Sequence, residues 1–440
     1  MQHNVIRNGD TLTVDTFMDL NKYFNSVVTM SSLDNMHNDG GIHKLIIKNS
    51  KCSLTIDAVR CFLTNPILDN LKEIDIITED ERFCSVEGLL YSRNKRRLYF
   101  CPRGIDGILA IPAGTDTITE NACSNCGFSK IIIPDSVKRI DRYAFIRNYA
   151  LEYVDGCKNV ERIGDYAFAY CKQLKKFQFG EFVKNIGAAA FCDTMLTEIY
   201  LPEGLSRVGS QAFNTTCVVN GIQTLVEASR MYDIHIPSTL KYIEYCAFAN
   251  AANVYAPFVN AALIQACMRS GNLQHCHECN IWRLKIEDKP DMIVPKSIKT
   301  TKHASIMASE INTALGMQSK HFQTSEAEVG ETTPPELHQY GSGSTSLTAA
   351  LEQCRKYPSG SLRRFITQNT TPIFKNLVCN PFNKNGKEIL ISLIKDNVFT
   401  DTALKKFLNE IEKSGNKEEM TTVKAYILDA IGHKLNKFNI

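Results

Sequence analysis

No stretch of the chain approaches the roughly 18 consecutive apolar residues of a membrane-spanning helix, so an integral helical membrane protein is excluded. An excess of one charge sign is lacking too. Lys and Arg number 50 against 47 Asp and Glu, and a net +3 gives no bulk attraction for polyanions. The start has no basic stretch, apolar core and small-residue cleavage site. The end, with Lys434, Lys437 and Ile440, has no anchor helix, sorting signal or prenylation cysteine, which makes the cytoplasm the expected location. Missing as well are a Gly-x-x-x-x-Gly-Lys-Ser/Thr phosphate loop, a Gly-x-Gly-x-x-Gly after a strand, a His-Glu-x-x-His pair and a Gly-x-Ser-x-Gly elbow. We therefore expect neither an enzyme nor a cofactor.

What is present suits a folded chain. With 440 residues, 44% apolar, there is material for more than one hydrophobic core. The 16 cysteines are spread over a chain that needs no staples, and they read as thiols in a reducing compartment.

A repeat dominates the middle of the sequence. Ala-Phe recurs at Ala144-Phe145, Ala167-Phe168, Ala190-Phe191, Ala212-Phe213 and Ala247-Phe248, with Ala122-Cys123 as a degenerate copy. The intervals between second members are 22, 23, 23, 22 and 35 residues, so the last contains an insertion of about 13 residues, placed near Val218 to Ser229. Five positions before each second member stands a branched aliphatic: Ile118, Ile140, Ile163, Ile186, Val208 and Ile243. Six before that is Pro or Gly in five copies: Pro112, Pro134, Gly180, Pro202 and Pro237. Between the Ala-Phe pairs, apolar residues fall at positions 1, 4 and 6 of a short segment, as in Phe128-Ile131-Ile133 and Leu196-Ile199-Leu201. The last two alternate with polar residues, which predicts one short half-buried strand per repeat. A unit this short cannot bury its apolar face alone, so units stack, giving a solenoid with a parallel sheet on one wall.

Segments such as Ile133-Pro134-Asp135-Ser136-Val137 through Ala144-Phe145, and Leu201-Pro202-Glu203-Gly204-Leu205 through Ala212-Phe213, resemble the BspA-type leucine-rich repeat. Phe83 to Pro102, with Gly88-Leu89-Leu90-Tyr91 and Leu98-Tyr99-Phe100-Cys101-Pro102, resembles the hairpin often inserted between units of that family. The resemblance implies a protein-interaction scaffold, frequently on cell surfaces.

The fold class expected is thus a leucine-rich-repeat solenoid followed by a linker and a small α-helical C-terminal module. We divide the chain into a flank with divergent repeats (1–82), the solenoid (83–257), a capping helix at Ala261 to Arg269 with a terminal half-repeat at Ile293 to Ile298 (258–317), a linker rich in Pro, Gly and Ser (318–346) and the helical module (347–440). In that module, Leu404, Phe407, Leu408 and Ile411 recur at helical spacing, between Asp401 and Gly415 as start and stop signals.

Positions 3 and 5 of each strand point away from the core and form the candidate binding face: Lys130, Ile132, Tyr153, Asp155, Lys176, Gln178, Glu198, Tyr200, Asp233 and His235. Tyrosines among mixed charges suit a protein or peptide partner. Two basic residues against three acidic ones argue against nucleic acid. The cluster Lys95-Arg96-Arg97 reads as a solvated turn. Cys276 and Cys279, flanked by His275 and His277, offer zinc spacing, and Cys123 with Cys126 repeats it. A solenoid keeps the two pairs apart, so we assign no metal site. Set against the scaffold are two alternatives: an adhesive surface or secreted protein, and a zinc-dependent enzyme using Cys276 and Cys279.

Overall fold

Each central repeat bends a short aliphatic strand into a turn that ends on a buried phenyl ring, and successive copies lie in register. The computed structural model describes residues 5–30, 41–49, 54–78, 82–214, 218–219, 222–223, 231–268, 280–316, 334–380, 383, 385–414 and 420–436. It divides into one unit of residues 1–216 with 239–247, and a second of residues 217–238 with 248–440.

The first unit begins with a four-stranded sheet: Val5–Asn8, Thr11–Val14, Lys44–Asn49 and Glu73–Thr78. The first pair is antiparallel and the others parallel, and the register sets Leu12, Leu45 and Ile74 side by side, then Val14, Ile47 and Ile76. All six are buried, the period-two pattern of a sheet with one covered face. Phe17, Leu20 and Phe24 of the helix Phe17–Met30, and Val59 and Leu63 of Ile56–Leu63, complete this core. Next come the antiparallel strands Phe83–Val86, Leu89–Ser92 and Arg97–Phe100, the first turn made by Glu87 and Gly88, both at positive φ.

From Arg97–Phe100 the sheet continues in parallel through Thr117–Ile118, Arg139–Ile140, Arg162–Ile163, Asn185–Ile186, Arg207–Val208 and Tyr242–Ile243. The six periodic aliphatics are the members of this ladder. Register runs from Val208 to Ile243 across the long interval, so the extra residues leave the ladder unbroken. Within the insertion only Val218–Val219 and Ile222–Gln223 are described, as an antiparallel pair.

One strand per repeat was expected, and this requires correction. The segments at positions 1 to 6 form a separate parallel sheet of Asp106–Ala110, Gly127–Ile133 and Tyr153–Gly156, so these repeats contribute two short strands each. Two residues suffice for the aliphatic strand because the turn after it is fixed by its own ladder. Phe145 N–H donates to Ala167 O at 2.8 Å, Phe168 to Ala190 at 2.7 Å, Phe191 to Ala212 at 2.8 Å and Phe213 to Ala247 at 3.1 Å. Every turn thus hands its donor to the following unit, which satisfies backbone groups that no helix or sheet would pair. Around this bond the chain alternates into the left-handed region. Asn121, Tyr143, Tyr166, Ala189, Gln211 and Cys246, each just before the alanine, have φ of +50 to +59°. The neighbour's carbonyls hold a conformation that is costly for a residue with a Cβ.

The rings stack. Phe145 and Phe168 lie 4.9 Å apart and 15° from parallel, Phe168 and Phe191 5.3 Å and 9°, Phe191 and Phe213 5.3 Å and 4°. Three residues after Phe145, buried Asn148 accepts from Cys126 N at 2.6 Å and donates to Cys123 O at 2.8 Å. Cys171 at the same offset donates its thiol to Phe145 O at 3.3 Å.

In the second unit Tyr232–His235, Ala251–Tyr255 and Ile281–Lys285 run parallel, and Met292–Pro295 returns antiparallel to the last. The segment read as a terminal half-repeat is therefore one arm of a hairpin. Asn260 caps the helix Ala261–Ala266 by accepting from Leu263 N at 2.8 Å, and Phe248 N–H donates to Ala266 O at 2.8 Å. The Lys296 ammonium, fully buried, donates to Ala249 O at 2.9 Å. In the stretch read as a linker, residues 334–346 are folded: Leu337–Tyr340 is a 3-10 turn, Gly341 bridges to Ile298, and the helix Gly343–Lys356 has begun. Gly360–Gln368, Thr370–Val378, Gly386–Lys395, Asp401–Lys413 and Thr421–Asn436 follow, joined by a core that includes Leu390, Leu393, Leu404, Phe407 and Ile427. Gly415, expected to stop the fifth of these helices, lies outside the described residues.

Candidate protein-binding face

The position-1-to-6 segments put alternate side chains on opposite sides. Leu109, Ile131, Ile111 and Ile133 are buried, and the residues between them face out. Register aligns Ile108, Lys130 and Tyr153 in one outward row, and Ala110, Ile132 and Asp155 in the next. Ile108, Ile132 and Tyr153 are 63%, 38% and 57% exposed, large apolar surface on a sheet whose other face is already covered. Lys130 Nζ reaches Asp155 Oδ2 at 3.3 Å across the two rows. Gly156 ends its strand at φ +104°, where a Cβ would collide with the Ile133 carbonyl of the neighbouring strand.

Four of the ten candidates, Lys130, Ile132, Tyr153 and Asp155, are thereby brought together. Lys176 and Gln178 are exposed as expected, but their segment is not a strand, which corrects the sequence reading. Its inward positions carry Phe177 and Phe179, packed on the phenyl stack at 5.2 Å from Phe168 and 5.4 Å from Phe191. Rings this large stand where the neighbouring strand has only Val154 and Gly156. Glu198 and Tyr200 sit on the strand Glu198–Tyr200, with the phenol donating to the carboxylate at 2.5 Å. Asp233 and His235 belong to the second unit and are half-buried rather than solvent-facing. Asn253 donates to Asp233 at 2.8 Å, and the His235 ring stacks on Tyr255 at 4.3 Å.

Ile108 and Ala110 were missed by sequence reasoning. Pro112 marks their repeat, but position 1 is Asp106 instead of an apolar residue, which hid the strand.

Burial pushes the Cys157 and Cys171 thiols up to about 12 and raises Cys123, and a hydrogen bond with Cys101 followed by burial raises Cys126, so thiolate is scarce at neutral pH. Cys276 and Cys279 lie outside the described residues. Among the described residues no group of three or more His, Cys, Asp or Glu is arranged to hold a metal ion.

A family model for the BspA type leucine rich repeat region matches residues 107–220 in six copies, which takes in most of both parallel ladders. Residues 107–220 are BspA-type leucine-rich repeats. A solved leucine-rich repeat protein from Eubacterium ventriosum is similar at 21% identity with a TM-score of 0.36, over 47% of this chain and 51% of that one. The pneumococcal vaccine antigen PcpA is similar at 18% and 0.36, over 49% and 50%. A leucine-rich repeat protein of T. pallidum is similar at 20% and 0.27, over 38% and 69%. The chain thus spans about half the length of the first two. No curated protein matches it. Leucine-rich-repeat proteins generally mediate protein interaction or surface adhesion, and the BspA-type repeats carry that expectation here. No helix of the described residues is long and apolar enough to cross a membrane.

Proposed function

We propose that the BspA-type repeats stack as a solenoid and act as a non-enzymatic scaffold, binding a protein or peptide on the outward rows of the position-1-to-6 segments. The observation that carries this reading is the alignment of exposed Ile108, Ile132 and Tyr153 beside the Lys130–Asp155 pair. Apolar anchors ringed by both charge signs are the usual anatomy of a protein interface. Replacing Ile108, Ile132 and Tyr153 together by Ser is expected to leave the circular dichroism and thermal midpoint of the full chain in place. The same variant loses the partners that the wild-type chain recovers in a pull-down. Retention of all of them overturns the assignment of this face.

The cytoplasm is our proposed location. Support comes from the twelve described cysteines, all free thiols, ten of them buried and Cys61 and Cys379 exposed. In purified native protein a maleimide is expected to modify Cys61 and Cys379 well before the buried ten. In intact cells a membrane-impermeant maleimide leaves both unlabelled until lysis. Labelling before lysis favours the adhesive alternative instead.

A further inference from the structure

The aliphatic ladder has an outer row of its own. Register aligns the residue before each aliphatic, Arg97, Thr117, Arg139, Arg162, Asn185 and Arg207, on six consecutive rungs, exposed at the four arginines, half-buried at Asn185 and covered at Thr117. The Lys95-Arg96-Arg97 cluster of the hairpin is therefore the head of an arginine column and not an isolated turn. Arg97 enters it because its strand pairs with Thr117. One position earlier in the chain, Arg96, Lys138, Lys184 and Lys241 add exposed cations on alternate rungs, and only Asp116 and Glu161 oppose them within that row. At about 4.8 Å per rung the column from Arg97 to Arg207 is about 24 Å long.

Folding gives no reason for this alignment. The four arginines are exposed, while Leu98, Ile140, Ile163 and Val208 beside them supply the buried contacts. Arg139 lies directly opposite Arg162, and like charges in adjacent positions of a sheet are destabilising. Arg139 is relieved by Asp141 at 3.0 Å and Arg207 by Glu244 at 2.5 Å.

We propose that this stripe is a second interaction surface, which binds an acidic polypeptide segment lying along the rungs. Guanidinium groups present paired donors that match a carboxylate. The pattern of the column favours a peptide over a nucleic acid. Neutral Thr117 and Asn185 interrupt the arginines, and Asp141, Asp165 and Glu244 flank them. A uniformly charged backbone would meet those carboxylates, whereas a peptide can set Glu or Asp opposite the arginines and neutral residues between. The surface is separate from the Ile108–Tyr153 rows, so the two proposals fail independently.

Fluorescence anisotropy of the full chain with a labelled oligoglutamate of about ten residues, at about 20 mM salt, tests it. Binding is expected, weakening as salt rises. In R97Q/R162Q, Kd is expected to rise at least about tenfold for the two lost charge-assisted contacts. K375Q/K405Q removes the same charge from the C-terminal helices and leaves Kd within about twofold. The Ser variant of Ile108, Ile132 and Tyr153 keeps wild-type affinity for the oligoglutamate. Absence of binding, or R97Q/R162Q binding like the wild type, overturns the proposal. Oligothymidylate of equal length binding as tightly, with the same dependence on Arg97 and Arg162, overturns the polypeptide assignment.

Discussion

Phe168→Ala is expected to cost about 3–5 kcal/mol of stability in the first unit, the range for deleting a fully buried phenyl. Phe168 has no solvent exposure and is held from three sides: Phe145 at 4.9 Å, Phe191 at 5.3 Å, and Phe177 edge-on at 5.2 Å. A cavity at that point cannot collapse easily, because the backbone on both sides is tied by the bonds from Phe145 to Ala167 and from Phe168 to Ala190. The measurement is urea unfolding followed by tyrosine fluorescence or circular dichroism. Phe182→Ala serves as the counterpart, since that ring is 56% exposed and its loss is expected to stay within about 0.5 kcal/mol. Equal losses at the two positions would refute the phenyl stack as a source of stability.

Gly187→Val is expected to be as damaging, about 3 kcal/mol or more, by the opposite route of overfilling. Gly164, Gly187 and Gly209 follow the ladder aliphatics Ile163, Ile186 and Val208, where consecutive units approach most closely. A Cβ on Gly187 would stand 2.5 Å from the Gly164 carbonyl carbon, and one on Gly209 2.5 Å from Ala188 N. These are backbone atoms, so no side chain can swing aside, and relief requires parting Ile163 from Ile186. Lys184→Val, on the exposed rim of the same unit, is the control for valine itself and is expected to shift stability by less than about 0.5 kcal/mol. A tolerated Gly187→Val would show that the units pack more loosely than the geometry states.

The stacking residues were legible because three offsets repeat together, and a periodic constraint leaves a periodic trace. Ile118 through Ile243 and Ala122 through Phe248 fall on the ladder and the turns where the spacing puts them. The turn ladder was hidden for a physical reason. Its left-handed positions are filled by Asn121, Tyr143, Tyr166, Ala189, Gln211 and Cys246, because neighbouring carbonyls, rather than glycine, stabilise them. A search for turn glycines passes over all six. The outward rows were half legible: alternation put Lys130, Ile132, Tyr153 and Asp155 together, but it also drew a strand around Lys176, where the inward positions carry Phe177 and Phe179 packed on the phenyl stack. The arginine column was out of reach, since Arg97 belongs to a segment with a different period and joins the others only through strand pairing.

The forward direction of the turn bonds also orders events on the ribosome. As the chain emerges, the N–H of Phe145 appears before Ala167, its acceptor, and that of Phe168 before Ala190. A newly made unit therefore stays incomplete until about 22 more residues have left the exit tunnel, while the sheet at the N-terminus offers it a ready edge. The Phe248 N–H likewise has no partner until Ala266 is synthesised.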